Sequence, residues 1–111
     1  MTRAEAEQIA RERLKFLADS YESRDGNTDW NALAVAARAA LAGDRTVASV
    51  FHRVFDEPGF AVSNSGMEVG FAALGIALCG DVSGLAKFRE TNMPFNGNDV
   101  ALEAARVLLT E

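Results

Sequence analysis

The chain has 111 residues, 49% of them hydrophobic, and a net charge of -5 from 11 basic and 16 acidic residues. This length and composition predict one globular domain over residues 1–111 with a core of its own, and they argue against a disordered chain. The single cysteine excludes an internal disulfide, and the negative charge disfavours general binding to nucleic acid.

The N-terminal stretch MTRAEAEQIARER is charged from residue 3 and lacks the apolar segment of a signal peptide. The longest uncharged apolar run, residues 69–79, is shorter than the roughly 20 residues that a membrane-spanning helix needs. These features predict a soluble, cytoplasmic protein without a membrane segment.

Apolar residues recur at helical spacing along most of the chain. Thr28 or Asp29 is the expected N-cap of the second helix, Gly43 its expected end, and Asp44 or Thr46 the expected start of the third. The predicted helices cover residues 3–22, 30–42, 44–56, 66–79, 82–91 and 99–110, with Asn98 or Asp99 as the N-cap of the last.

The helix over 66–79 is apolar on nearly all sides, which is typical of a helix at the centre of a domain. Ser65 and Glu68 have the spacing of a capping box at its start. Gly70 and Gly75 indicate tight packing or a bend, because glycine inside a helix is otherwise unfavourable. Small residues also form one face, which predicts a close neighbour and makes a homodimer conceivable: Gly66, Gly70, Ala73 and Ala77.

These patterns together predict an all-α fold, a compact single-domain bundle of about six short helices around a central apolar helix near 66–79. The stretch GFAVSN at residues 59–64 is the only strand candidate, and it is short and stands alone.

Asp25, Asn27 and Asp29 alternate as the first ligands of a calcium-binding helix–loop–helix do. Trp30, however, stands where that loop requires glycine, and Ala36 where it requires a bidentate glutamate. The stretch is therefore interpreted as a turn followed by a helix cap. Trp30 is expected to pack against the first helix, and the two aspartates to serve backbone N–H groups or water.

The chemistry-bearing residues are few. His52 is the single histidine and is expected on the solvated side of the third helix, while Cys79 is expected to be buried and inert. No nucleotide-binding or hydrolase motif occurs, so the sequence predicts no catalytic residue, no cofactor and no metal site. An enzyme with a site near His52 is the third-ranked hypothesis.

Helices 66–79 and 82–91, joined by Gly80-Asp81, have helix–turn–helix proportions. In the second of them Ser83, Lys87 and Arg89 could contact DNA. This DNA-binding regulator is the alternative hypothesis, weakened by the acidic chain and by Asp81 in the turn.

Binding to a partner protein is the first hypothesis. Apolar side chains in two loops are the predicted contacts, because Met and aromatic residues are enriched at interfaces. The predicted partner-binding residues are Phe60, Met93, Phe95 and Asn96. A small acidic protein of this kind could act as an inhibitor or adaptor, for example in phage counter-defence or in immunity to a toxin.

Overall fold

The computed structural model describes residues 1–22, 28–89 and 96–110. Within these ranges the chain forms α-helices joined by turns and one 3₁₀ turn, Arg45–Val47, so the all-α prediction is confirmed. The α-helices are α1 (Arg3–Tyr21), α2 (Asp29–Leu41), α3 (Ala48–Asp56), α4 (Met67–Leu78), α5 (Gly84–Arg89) and α6 (Asn96–Thr110).

Helix α1 begins at a capping box. The Thr2 hydroxyl accepts the Glu5 N–H at 3.1 Å, and the Glu5 carboxylate accepts the Thr2 N–H at 3.0 Å. Two of the four N–H groups that a helix start leaves without partners are satisfied in this way. The apolar stripe of the helix is buried as its spacing predicts, at Ala6, Ala10, Leu14, Leu17 and Ala18.

Helix α4 is the central helix, in contact with α1, α2, α3, α5 and α6. Most of its residues are buried, which fits a sequence that is apolar on nearly all sides. Its glycines allow its neighbours to approach closely. A Cβ atom on Gly75 would lie 2.5 Å from three atoms of the buried Phe51 ring, so α3 packs where no side chain could fit.

Gly70 serves the same purpose toward α6. A Cβ atom there would lie 2.5 Å from Oδ1 of Asn98, whose side chain is 1% exposed. The Asn98 amide accepts the Gly70 N–H at 3.1 Å and donates to the Gly66 carbonyl at 3.0 Å. The prediction that Gly70 and Gly75 mark tight packing is therefore confirmed.

The same contact corrects the predicted start of the last helix. Helix α6 begins at Asn96 rather than at residue 99, and Asn98 lies inside it instead of capping it. The reason is a tertiary contact. The Asn98 side chain is hydrogen-bonded to backbone atoms of α4, so it does not cap the N–H groups at the start of α6.

The start of α4 also differs from the prediction. Ser63, not Ser65, takes the capping role: its hydroxyl donates to Glu68 at 2.6 Å and accepts the Gly66 and Met67 N–H groups. Gly66, at φ 76°, turns the chain in the left-handed region and so brings Ser63 back to the helix.

Helix α5 begins at Gly84, two residues later than predicted, because Val82 and Ser83 form a turn after Gly80. Val82 is consequently 63% exposed and does not belong to the core.

The small-residue face of α4 is occupied within the chain. Gly70 contacts α6, and Ala73 and Ala77 are buried, so this face is not open to a second copy, contrary to the basis for a homodimer. Among the residues described, every helix is too short or too polar to cross a bilayer.

Candidate functional site

Phe60 is one of the predicted partner-binding residues, and the structure does not place it on the surface. Its side chain is 5% exposed and belongs to the core. The guanidinium carbon of Arg53 lies 4.0 Å from the centre of its ring, an arrangement that favours a cation over an aromatic face. Met93 and Phe95 lie outside the described residues, and Asn96 is placed only as the first residue of α6.

The stretch with alternating acidic residues ends in a helix cap. The Thr28 hydroxyl accepts the Asn31 N–H at 3.0 Å, and an Asp29 carboxylate oxygen accepts the Ala61 N–H at 3.0 Å. Trp30 packs on Tyr21 of α1, with ring centres 4.8 Å apart, as predicted. Asp25 and Asn27 lie outside the described residues. In the part that is described, no three His, Cys, Asp or Glu side chains group as a metal site would require.

His52 was predicted to be solvated, and the structure corrects this as well. Its side chain is 14% exposed and lies between two charged groups. Nε2 is 2.7 Å from an Asp81 carboxylate oxygen, and Nδ1 is 2.6 Å from Nζ of Lys87. Lys87 also donates to Asp56 at 2.7 Å, so one polar chain joins α3, the α4–α5 turn and α5.

Asp81 caps the turn before α5. One of its oxygens accepts the Ser83 N–H at 3.1 Å and the Ser83 hydroxyl at 2.7 Å. The hydroxyl of Ser83, followed by His52, lowers the pKa of the Asp81 carboxyl. The carboxylate is therefore charged over the whole neutral range.

Two of the predicted DNA contacts thus have partners inside the protein. Ser83 is held by Asp81, and Lys87 by Asp56 and His52. A phosphate would have to compete with the Asp56 carboxylate for the Lys87 ammonium, which lowers the gain from that contact. Arg89, the third predicted DNA contact, is placed only as the last residue of α5.

Cys79 follows the last residue of α4, where it is 5% exposed. Burial raises the pKa of its thiol, so the nucleophilic thiolate is disfavoured. This agrees with the expectation of a buried and inert cysteine.

A cavity of about 360 Å³ opens between α1, α4 and α6. Phe16, Met67 and Phe71 supply its apolar walls, and Glu12 and Arg13 line it from α1. This volume lies within the range of about 300–1,000 Å³ that is usual for ligand pockets in proteins.

The uncharged polar groups that line the cavity have little left to offer a ligand. Both ends of the Asn98 amide are hydrogen-bonded to α4 backbone atoms. The Gly70 N–H, beside it, is taken by that amide. The part of the cavity beside Asn98 is therefore suited to apolar groups, while Glu12 and Arg13 add charged side chains from α1.

The aromatic rings of the cavity wall pack against one another and against Trp30. Phe16 stacks on Phe71 with ring centres 6.3 Å apart, and Trp30 meets Phe71 edge-on at 6.2 Å. Tyr21 continues the row beyond Trp30. Such pairs restrain one another, so Phe71 is held in place, while Phe16 at the outer end is 57% exposed.

Sequence reasoning did not identify this cavity. By its spacing Phe16 only widens the apolar stripe of α1, and Met67 and Phe71 belong to a face of large apolar residues on α4. The available signal was that α1 has more apolar surface than one neighbouring helix covers, but the periodicity does not say which helix Phe16 meets.

Comparison of the chain with protein-family models, with curated proteins and with solved structures gives no match. The geometry therefore stands alone as the basis for a function.

Proposed function

We propose that the protein acts by binding another protein, as an inhibitor or adaptor, and that apolar side chains of the partner enter the cavity between α1, α4 and α6. The observation that carries this proposal is the apolar cavity with Phe16 at its edge. Phe16 is the most exposed aromatic side chain among the described residues, and rigid aromatic side chains are frequent anchors of binding energy.

A protein fits this surface better than a small molecule does. A ligand confined to the cavity would leave the outer side of the Phe16 ring in water. A partner segment that fills the cavity and also covers α1 would bury that ring, and burying one large apolar side chain contributes about 1.5–3 kcal/mol. Met67 beside it is a flexible side chain that can adapt to a partner's shape.

The two other hypotheses receive less support from the geometry. The DNA-binding hypothesis relies on Lys87, which is engaged by Asp56 and His52. The enzyme hypothesis relies on His52, which does not line the cavity. A gel-shift experiment at low salt that shows a complex with DNA would support the DNA-binding hypothesis.

Photo-crosslinking tests the proposal and its location together. The photoreactive analogue p-benzoylphenylalanine replaces Phe16 in one protein and Val35 in a matched control. Val35 is half exposed on α2 and does not line the cavity. We expect a crosslinked partner of defined mass from position 16 and none from position 35.

The crosslinked partner then gives a quantitative test. Phe16→Ser should weaken its binding by about tenfold or more, since a lost apolar anchor costs over about 1 kcal/mol. Val35→Ser should bind as the wild type does, with circular dichroism confirming that both variants are folded. Equal binding by the wild type and Phe16→Ser would place the interface elsewhere.

A further inference from the structure

The two contacts of the His52 ring fit one of its tautomers. A lysine ammonium carries donors only, so an Nδ1 atom that is hydrogen-bonded to Lys87 Nζ, 2.6 Å away, accepts through its lone pair. The ring proton then belongs on Nε2, where it can be donated to Asp81 at 2.7 Å. The geometry thus fits the neutral Nε2–H tautomer, with the ring between a carboxylate and an ammonium.

We propose that His52 is a proton-operated latch: in its neutral form it ties α5 to α3 through Lys87, and when it takes up a second proton it releases Lys87 and keeps Asp81. Protonation occupies the Nδ1 lone pair, so the hydrogen bond from Lys87 is lost. It also places two cations against each other, which is unfavourable at this separation.

The charged groups around the His52 ring determine which ion pairs remain after protonation. Asp81 faces it from the α4–α5 turn, Lys87 from α5, and Asp56 lies one helical turn along α3. The guanidinium of Arg45 lies near Gly80, next to Asp81. Because the pKa of Asp81 is lowered, this carboxylate remains to pair with the imidazolium, and Lys87 retains its contact with Asp56.

Helix α5 is the element that this exchange would loosen. It has six residues, too few to be stable without tertiary contacts. Phe88 is its fully buried anchor, and Lys87 is its charged tie to α3. Losing the hydrogen bond from Lys87 to His52 leaves α5 more dependent on Phe88, while Asp81 still holds the turn before α5.

The tautomer can be observed directly, because His52 is the single histidine. Ring ¹⁵N chemical shifts at about pH 8 should show a protonated Nε2 and an unprotonated Nδ1. A ring protonated on Nδ1 under these conditions would overturn the proposal, since Lys87 could not then donate to it.

Amide hydrogen exchange tests the release. Between about pH 8 and about pH 5, protection factors in α5 should fall by about tenfold, as expected for a lost hydrogen bond to a charged group. The Ser83 amide, held by Asp81, and the amides of α4 should keep their protection. A uniform fall across all helices, or none in α5, would contradict the latch.

Lys87→Met supplies the matched control. It retains most of the side chain's length and removes the ammonium, so α5 should have lower protection already at about pH 8 and little further change toward pH 5. A full tenfold response in this variant would show that the pH dependence does not come from Lys87, and would refute the proposal even where the wild type responds.

Discussion

Gly70 and Phe71 are neighbours in α4 and meet their surroundings in opposite ways. Gly70 faces α6 across a contact so close that a single added carbon would lie 2.5 Å from the Asn98 amide oxygen. Phe71 faces α1 across a stacked ring 6.3 Å away and borders an open cavity of about 360 Å³. One residue step along the helix separates one of the closest contacts of the fold from an open apolar cavity.

The difference shows how a small domain can be stable and still leave an apolar surface open. Gly70 and Asn98 also line the cavity, but the contact between them is closed by hydrogen bonds, which fix α6 on α4. The Phe71 side is held by neighbouring rings instead, so a cavity can persist there without collapse. Substitutions on the two sides should therefore have different consequences.

A large loss of stability should follow from Asn98→Ala. It removes both hydrogen bonds to α4 and leaves the buried Gly70 N–H without that partner, while the Gly66 carbonyl keeps the Val69 N–H. At about 1–3 kcal/mol for the unsatisfied N–H and about 0.5–1.5 kcal/mol for the other lost hydrogen bond, we expect the free energy of unfolding to fall by about 2–4 kcal/mol. Urea denaturation followed by circular dichroism measures this change.

Val100→Ala is the matched control, since Val100 is an exposed residue two positions further along α6. It should change the free energy of unfolding by less than about 0.5 kcal/mol. If the two variants were equally stable, the closed side of α4 would not depend on the Asn98 amide.

Gly75→Ala tests the second close contact of α4. Alanine improves helix propensity by about 1 kcal/mol, but its methyl group would collide with the Phe51 ring. Overpacking of a core costs about 1–3 kcal/mol, and we expect a net loss of about 1–2 kcal/mol in the same denaturation experiment.

Combining Gly75→Ala with Phe51→Leu checks that the cost comes from this contact. The smaller side chain gives the new methyl group room, so the double variant should lose less stability than the two single variants added together. Simple additivity would mean that Gly75→Ala acts through some other part of the fold.

On the open side, Phe16→Ala should cost only about 1 kcal/mol. A fully buried phenylalanine costs about 3–5 kcal/mol on truncation, but Phe16 is more than half exposed. Phe88→Ala, at a fully buried position, gives the contrasting value. Equal losses from the two variants would show that Phe16 is a core residue rather than part of an open surface.

The smallest effect on stability is expected from Asp81→Asn. The Asp81 side chain is only partly buried, whereas the amide of Asn98 is fully buried. The Asp81 side chain is 35% exposed, so its contact with the His52 ring should contribute less than about 1 kcal/mol. Folding lowers the pKa of this carboxyl, so its contribution is present at neutral pH and is lost as the pH falls through that lowered pKa. Denaturation of both proteins at neutral and strongly acidic pH should show the difference shrinking with acid.

The helices were predictable because their information is local. Leu14 and Leu17 follow a helical stripe, Thr28 precedes a helix as a cap should, and the glycines of α4 stand where a helix former would be expected. Each of these signals is read within a few residues, and the structure agrees with each.

The candidate sites were not predictable because they join distant residues. Phe16 and Phe71 lie on α1 and α4, and His52 meets Asp81 and Lys87 from other elements. Sequence spacing places a residue on a helix face but does not say which face it will meet. For the same reason Asn98 was taken for a cap: its backbone partners are 28 and 32 residues away.

The amide of Asn98 also has a consequence for the order of events during synthesis. Gly66 and Gly70 leave the ribosome before Asn98, which is 28 residues behind Gly70. At about 5–20 residues per second, about 1–6 s pass between them, whereas a helix forms within about a microsecond. The first turn of α4 is thus made long before its partner exists, and until residue 98 is added the nascent chain carries a central helix whose start is still open to other backbone partners.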